Sequence, residues 1–409
     1  MEQAPASRLL SYAVDGTVPR AVLFPSSEAE VASALPTAAE EGSVVVPWGA
    51  GSQQDLGNPL ERVDLVLSLE RLNHVVEYVP ADMTITVQAG MRFPDLQALT
   101  ALHGQSVPLD PPRAAHSTIG GIVATAASGP RRMAYGGVRD LVLGVRLALP
   151  NGRVIQAGGK VVKNVAGYDL PKLAIGSLGT MGVITEISLR LRPLPASSRT
   201  LLFGFAELGA VLAAAESILN SELLPAAVTV LTPEAAKRLD APGPVSLAVA
   251  LEETPENIAY QVDRLSVMTQ AATGAQTLMG EAESAFWDRL TNYGDRFGTT
   301  FRMKVNTVLS DLANHLAAPG LEAMAHVSSG TVMLYGVADG VGTVEAIGAS
   351  FAAARAAGGS AVLESGPVAL RRQVDVWGPP RPEWKFTRDL KKTFDPAGVL
   401  NRGRYVGGL

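Results

Sequence analysis

The residues best suited to chemistry lie in glycine-bearing loops. Pro47, Trp48, Gly49, Ala50, Gly51, Ser52 and Gln53 follow a short β-branched run, Val44–Val46. Glycines on either side of Ala50 let successive backbone N–H groups point one way, a concave seat for an anion such as a pyrophosphate. Ser52 adds a hydroxyl donor. The loop has neither the Lys-Ser/Thr ending of a P-loop nor a complete G-x-G-x-x-G, so alone it reads equally well as a plain strand and turn. A second loop holds Pro111, then Ser117, Thr118, Ile119, Gly120 and Gly121, with Ala124, Ser128 and Gly129 beyond. Ser117 and Thr118 are capping residues, and the paired glycines leave the first helical turn bare, so a phosphate or flat ring can come close. Close helix–strand packing would ask for the same small residues. Tyr135 opens a third stretch, in which Arg139 beside Asp140 also suits a surface ion pair. The fourth, Gly158–Leu170, combines glycines with Lys160, Lys163, Asn164, Tyr168 and Asp169, and runs on to Gly182, Val183 and Ile184. Such a set lines a flat, phosphate-bearing ligand or stands as a solvated loop.

Later in the chain the candidates for catalysis are Arg302, Lys304 and His326. Arg302 and Lys304 stand two apart, on one face of a strand, where a guanidinium can pair a carboxylate in bidentate fashion. His326 is the lone histidine of a strand-like run. Each also fits a structural role. The histidines, His74, His103, His116, His315 and His326, form no H-x-H or H-x-x-x-H pair, so no local histidine metal site is expected. The chain has no cysteine, which removes disulfides, thiolate-held iron–sulfur clusters and a cysteinyl flavin bond. A net charge of −5 speaks against a nucleic-acid partner. The start lacks a basic and apolar leader pattern, and no apolar run reaches membrane length, so a cytoplasmic protein is expected, with any membrane association made through partners.

These loops need two domains to hold them, since 409 residues exceed one packed core. Residues 26–195 read as alternating strands and helices. Ser27 and Glu30 have capping-box spacing at the start of a helix that Pro36 should kink or break. Pro150-Asn-Gly152 marks a hairpin between two apolar runs. Prolines and serines over 192–198 predict a linker. Beyond it, strands alternate with alanine-rich helices, which suggests an α+β domain with an antiparallel sheet.

Taken together, the order of Ser-Thr-Ile-Gly-Gly121, Arg139-Asp-Leu-Val-Leu-Gly-Val145 and Lys163-Asn-Val-Ala-Gly-Tyr-Asp-Leu170 resembles the FAD-binding domain of the vanillyl-alcohol-oxidase/PCMH flavoproteins, over about residues 15–196. Within that family the chain is most similar to the GlcE-type branch of glycolate oxidase subunits. The resemblance implies a two-part PCMH-type FAD-binding domain (1–196), an α+β cap or substrate domain with an antiparallel sheet (197–370), and a C-terminal segment (371–409) that returns to the FAD domain. Phe394-Asp-Pro-Ala-Gly-Val-Leu-Asn401 resembles the tail of the D-2-hydroxyacid branch. The resemblance assigns the Trp48 loop to the FAD pyrophosphate, the Ser117–Gly121 region and the small residues after it to pyrophosphate and flavin, and the Gly182–Ile184 strand to a backbone contact with the cofactor. FAD is expected to be noncovalent, as no histidine lies in the Trp48 loop. The His-x-His-x-Gly-Asp-Gly-Asn motif of catalytic relatives is missing, which is typical of the GlcE type. Implied partners are a GlcD-type FAD subunit and a GlcF-type iron–sulfur subunit, with glycolate or a related small 2-hydroxy acid as substrate. A stand-alone oxidoreductase and a cofactor-free scaffold are the alternatives.

Overall fold

β-Branched and apolar runs form the strands, and their alternation decides which face is buried. The computed structural model describes residues 1–159, 169–338 and 341–409. These fall into two units, 1–128 with 137–194 and 379–409, and 129–136 with 195–378.

The first unit contains a sheet of Glu2–Gln3, Ala21–Phe24, Leu65–Ser68 and Val45–Trp48, in that order. The last three are parallel. The tail extends this sheet: Val45 N donates to Val399 O at 2.8 Å and Asn401 N donates to Val45 O at 2.9 Å. An antiparallel sheet of Val75–Val79, Thr84–Gln88, Val183–Arg190, Val142–Ala148 and Val154–Gly158 completes the unit. Val45, Leu67, Val87, Val145 and Ile187 from the two sheets meet in one core.

Ser27 Oγ accepts from Glu30 N at 3.2 Å and opens the helix Glu28–Glu40. Pro36 does not break it. Proline in mid-helix removes the amide that would serve Ala32 O, and here that carbonyl and the Pro36 ring face Gly152 of the hairpin, where a β-carbon would lie 3.0 Å from Pro36 Cγ. The linker expected over 192–198 is shorter than that. Arg192–Pro193 pairs with Gln105–Ser106, and Ser197 already begins the strand Ser197–Phe205.

The second unit is built on one antiparallel sheet. Its strands run Gly274–Leu278, Ser197–Phe205, Val245–Glu253, Ala227–Leu231, Glu322–His326, Thr331–Gly336, Phe301–Asn306 and Ser360–Ser365. Val211 and Ile218 of one helix, Ile258 and Leu265 of a second, and Ile347 and Phe351 of a third pack in the core on one face. Phe286, Trp287 and Leu290 cover part of the other. This is the α+β fold expected. Residues 129–136 and 371–378, which the sequence division placed in its first and last segments, belong to the second unit. Met133 packs against that unit's core, and Arg131 Nε and Tyr135 Oη both donate to Glu252, at 2.5 and 2.6 Å.

Candidate functional site

The strand Val45–Trp48 ends in a loop that must turn sharply, and Gly51 does so at φ +74°. A β-carbon there would stand 2.3 Å from the Trp48 ring, and one on Gly49 would stand 2.2 Å from Thr118 Oγ1. Among the described residues, none accepts a hydrogen bond from the backbone amides of Gly49, Ala50, Gly51, Ser52 or Gln53. Consecutive donors left without acceptors suit an anion. Arg113 braces the loop from behind, donating to Ser52 O at 2.6 Å and to Asp55 at 3.1 Å.

This loop forms one wall of a cleft open to solvent. Pro47, Trp48, Gly49, Ala50, Gly51, Ser52 and Gln53 all line it, as do Thr118, Gly120, Gly121, Ala124 and Ile184. The structure thus brings together three loops far apart in sequence. Leu69, Ala89, Leu178, Gly179, Asn401 and Arg404 also line it and were not singled out by sequence. The glycine-rich run before Ile184 and the Leu400-Asn-Arg-Gly-Arg404 tail were the available signals.

Other expected residues do different work. Ser117 is buried and donates to Arg113 O at 2.9 Å, which leaves Ser52 Oγ to donate to Ser117 Oγ at 3.0 Å. The Ser52 hydroxyl proton is therefore used internally. The helix Ile119–Thr125 has no spare first-turn amides: Ile119 N serves Met91 O, Gly120 N serves Ala89 O, and Gly121 N serves the Thr118 hydroxyl at 3.2 Å. Its glycines act by shape instead. A β-carbon on Gly120 would meet Ala89 O at 2.6 Å, whereas one on Gly121 would meet only Thr118 Oγ1, at 3.3 Å, so Gly121 keeps a flat wall. Ile119 and Val183 are core residues. Pro111, Ser128, Gly129 and Gly182 are not among the lining residues, and Tyr135 belongs to the second unit. Lys160, Lys163, Asn164 and Tyr168 lie outside the described residues, and Asp169 pairs with Lys172.

In the second unit, Arg302 is buried and Nε donates to Glu364 at 3.0 Å, so its charge is already matched. The sequence did not reveal a polar row crossing four strands. Asn306 stands opposite Thr331, Thr331 opposite His326, and His326 opposite Thr229. His326 Nδ1 lies 3.1 Å from Thr229 Oγ1, and Thr331 Oγ1 donates to Asn306 Oδ1 at 3.2 Å. Desolvation, with the Lys304 charge adding to it, pushes the His326 pKa down to about 4. Burial thus keeps the imidazole neutral at pH 7 and makes it a weak proton acceptor.

Residues 19–158 match the family model described as a FAD binding domain. An uncharacterized FAD-linked oxidoreductase of Mycobacterium tuberculosis is 30% identical over 94% of this chain and 90% of its own length. The glycolate oxidase subunit GlcD of Bacillus subtilis is 28% identical over 75% of this chain and 68% of its own. The subunit GlcE of Escherichia coli is 40% identical, over 38% of this chain and 45% of its own. Among solved structures, an alkyldihydroxyacetonephosphate synthase has the same fold, with a TM-score of 0.70 at 20% identity over 94% of this chain and 77% of that one. The cleft fits FAD. Its amide donors complement a pyrophosphate, Gly121 and Ala124 admit a flat ring, and among the described residues neither cysteine nor histidine lines it, in keeping with noncovalent binding. The chain is a member of the FAD-linked oxidoreductases that carry a PCMH-type FAD-binding domain.

Proposed function

We propose that this chain is the GlcE-type, FAD-binding subunit of a glycolate oxidase (dehydrogenase) complex. Glycolate, or a related small 2-hydroxy acid, is oxidised to the 2-oxo acid in that complex. A GlcD-type flavoprotein and a GlcF-type iron–sulfur subunit are the partners. The observation that carries the reading is the row of unpartnered amides, Gly49–Gln53, in a cleft walled by Gly121. Those amides hold the pyrophosphate, while Thr118 keeps its hydroxyl on Gly121 N and so fixes the wall. Ala124 and Ile184 exclude water from the face they cover. FAD, when bound, supplies the two-electron acceptor. The 2-hydroxy-acid assignment draws on the names of GlcD and GlcE. The cap role of residues 197–370 and the docking role of the tail from residue 379 onward are part of the same proposal.

The polar row favours a second reading, a dehydrogenase complete in one chain. A hydroxy acid must lose its hydroxyl proton as the C–H bond breaks. His326 is neutral near pH 7 and is oriented by Thr229, and Lys304 on the same face can attract a carboxylate. Arg302 is committed to Glu364.

The visible spectrum of the purified chain separates the two, recorded before and after anaerobic glycolate. A flavin spectrum that stays oxidised supports the subunit reading. Bleaching near 450 nm moves the chemistry to this chain. A colourless protein that refuses added FAD overturns both.

A further inference from the structure

Asn401 is 2% exposed, and its Oδ1 has no hydrogen-bond partner among the described residues. The orientation of the amide is set, because Nδ2 donates to Leu178 O at 2.6 Å. Oδ1 is thus the free end, and it can only accept. Leaving a buried acceptor unpaired costs about 1–3 kcal/mol. The residue lines the cleft, next to Pro47: a β-carbon on Gly179 would lie 3.3 Å from Pro47 Cγ and 3.6 Å from Asn401 Nδ2. Its backbone is held at φ +44°, a left-handed conformation that asparagine tolerates better than most residues. Asp395 fixes the preceding turn by accepting from Val399 N at 2.9 Å and Leu400 N at 2.8 Å. The side chain that carries the orphan oxygen is therefore held in place.

We propose that Asn401 is a cofactor-holding residue: Oδ1 accepts a hydrogen bond from an O–H or N–H group of FAD, so FAD binding and docking of the tail reinforce each other. The pyrophosphate has no donor to offer, which leaves a ribose or ribityl hydroxyl, the adenine amino group or the flavin N–H as the partner. The inference rests on FAD occupying this cleft.

The test uses the full chain stripped of FAD. FAD is titrated back and followed by its fluorescence, for the wild type, Asn401→Ala and Gly121→Val. Trypsin cleavage after the exposed Arg402 is timed with and without FAD. Asn401→Ala is expected to weaken FAD binding about tenfold, the loss of about 1.4 kcal/mol. In the wild type, FAD is expected to slow cleavage at Arg402; in Asn401→Ala it should give little protection. Wild-type affinity in Asn401→Ala, with FAD lost in Gly121→Val, overturns the role of Asn401 and leaves the cleft standing. Full affinity in both variants overturns the cleft as well. Tail cleavage indifferent to FAD in the wild type overturns the coupling, a result that needs no variant to fold.

Discussion

Lys391 and Asp395 form a buried ion pair one helical turn apart, with Nζ 2.6 Å from Oδ2. Lys391 Nζ also donates to Thr180 O at 2.8 Å and Leu400 O at 2.9 Å. Asp395 receives two backbone amides besides. Burial pushes the Lys391 pKa down and the Asp395 charge opposes that shift. Such a pair is costly to break from one side, because the other charge stays buried. Asp395→Ala should destabilise the first unit by about 3–5 kcal/mol. Chemical denaturation checks this, and a loss below about 1 kcal/mol would show that the tail is not locked here.

Gly121→Val and Gly51→Val should differ in kind. Both are expected to weaken FAD binding, by about 100-fold or more, equal to about 2.7 kcal/mol. At Gly121 there is room for a side chain on the protein side, so the FAD-free protein should melt near the wild-type temperature. Gly51 combines φ +74° with the Trp48 ring at 2.3 Å, so its valine variant should also melt earlier. Full flavin occupancy in purified Gly121→Val would falsify the cleft assignment.

The second unit should lose stability in mild acid through His326. Its folded pKa of about 4 lies below the ordinary 6.5, so the unfolded chain takes up the proton first as pH falls. Stability from this residue is complete above pH 6.5, declines between 6.5 and 4, and is flat below. The full effect is at most about 3.5 kcal/mol. Urea midpoints across that range should fall less steeply in His326→Gln; equal slopes would remove His326 as the cause.

Glu252 anchors residues 129–136 within the second unit by accepting from both Arg131 and Tyr135. Tyr135 responds with a pKa raised by burial and by the Glu252 carboxylate. Glu252→Ala leaves Arg131 without this partner, and a loss of about 3 kcal/mol is expected. Tyr135→Phe should cost less, about 1 kcal/mol, since only one hydrogen bond goes. A calorimetric scan in which Tyr135→Phe is the more damaging variant would contradict this ordering.

The pattern of glycines was enough to point to the Trp48 loop and to Gly120–Gly121, because bare backbone surfaces are written directly in sequence. What the glycines do was less legible. The Ser117–Gly121 region reads as a helix end with free amides, yet every first-turn amide has an acceptor supplied by Met91, Ala89 or Thr118. Those partners are distant or capping residues, and periodicity carries no trace of them. Tyr135 sits between two expected flavin motifs, but its hydroxyl bonds to Glu252, a residue 117 positions away. The row from Asn306 to Thr229 depends on the register of four strands, which local propensity does not determine. Pro36 shows the reverse case, a local rule for breaking a helix overridden by packing around Gly152.

The addition of Val399–Asn401 to the edge of the Val45–Trp48 strand bears on how the protein is made. The strand leading into the anion loop leaves the ribosome early, but its neighbour is synthesised some 350 residues later. Until residue 404 has emerged, Val45 lacks its edge partner and the cleft lacks Asn401 and Arg404. Nascent chains released before that point should be unable to retain flavin, so acquisition of the cofactor waits for synthesis of the tail.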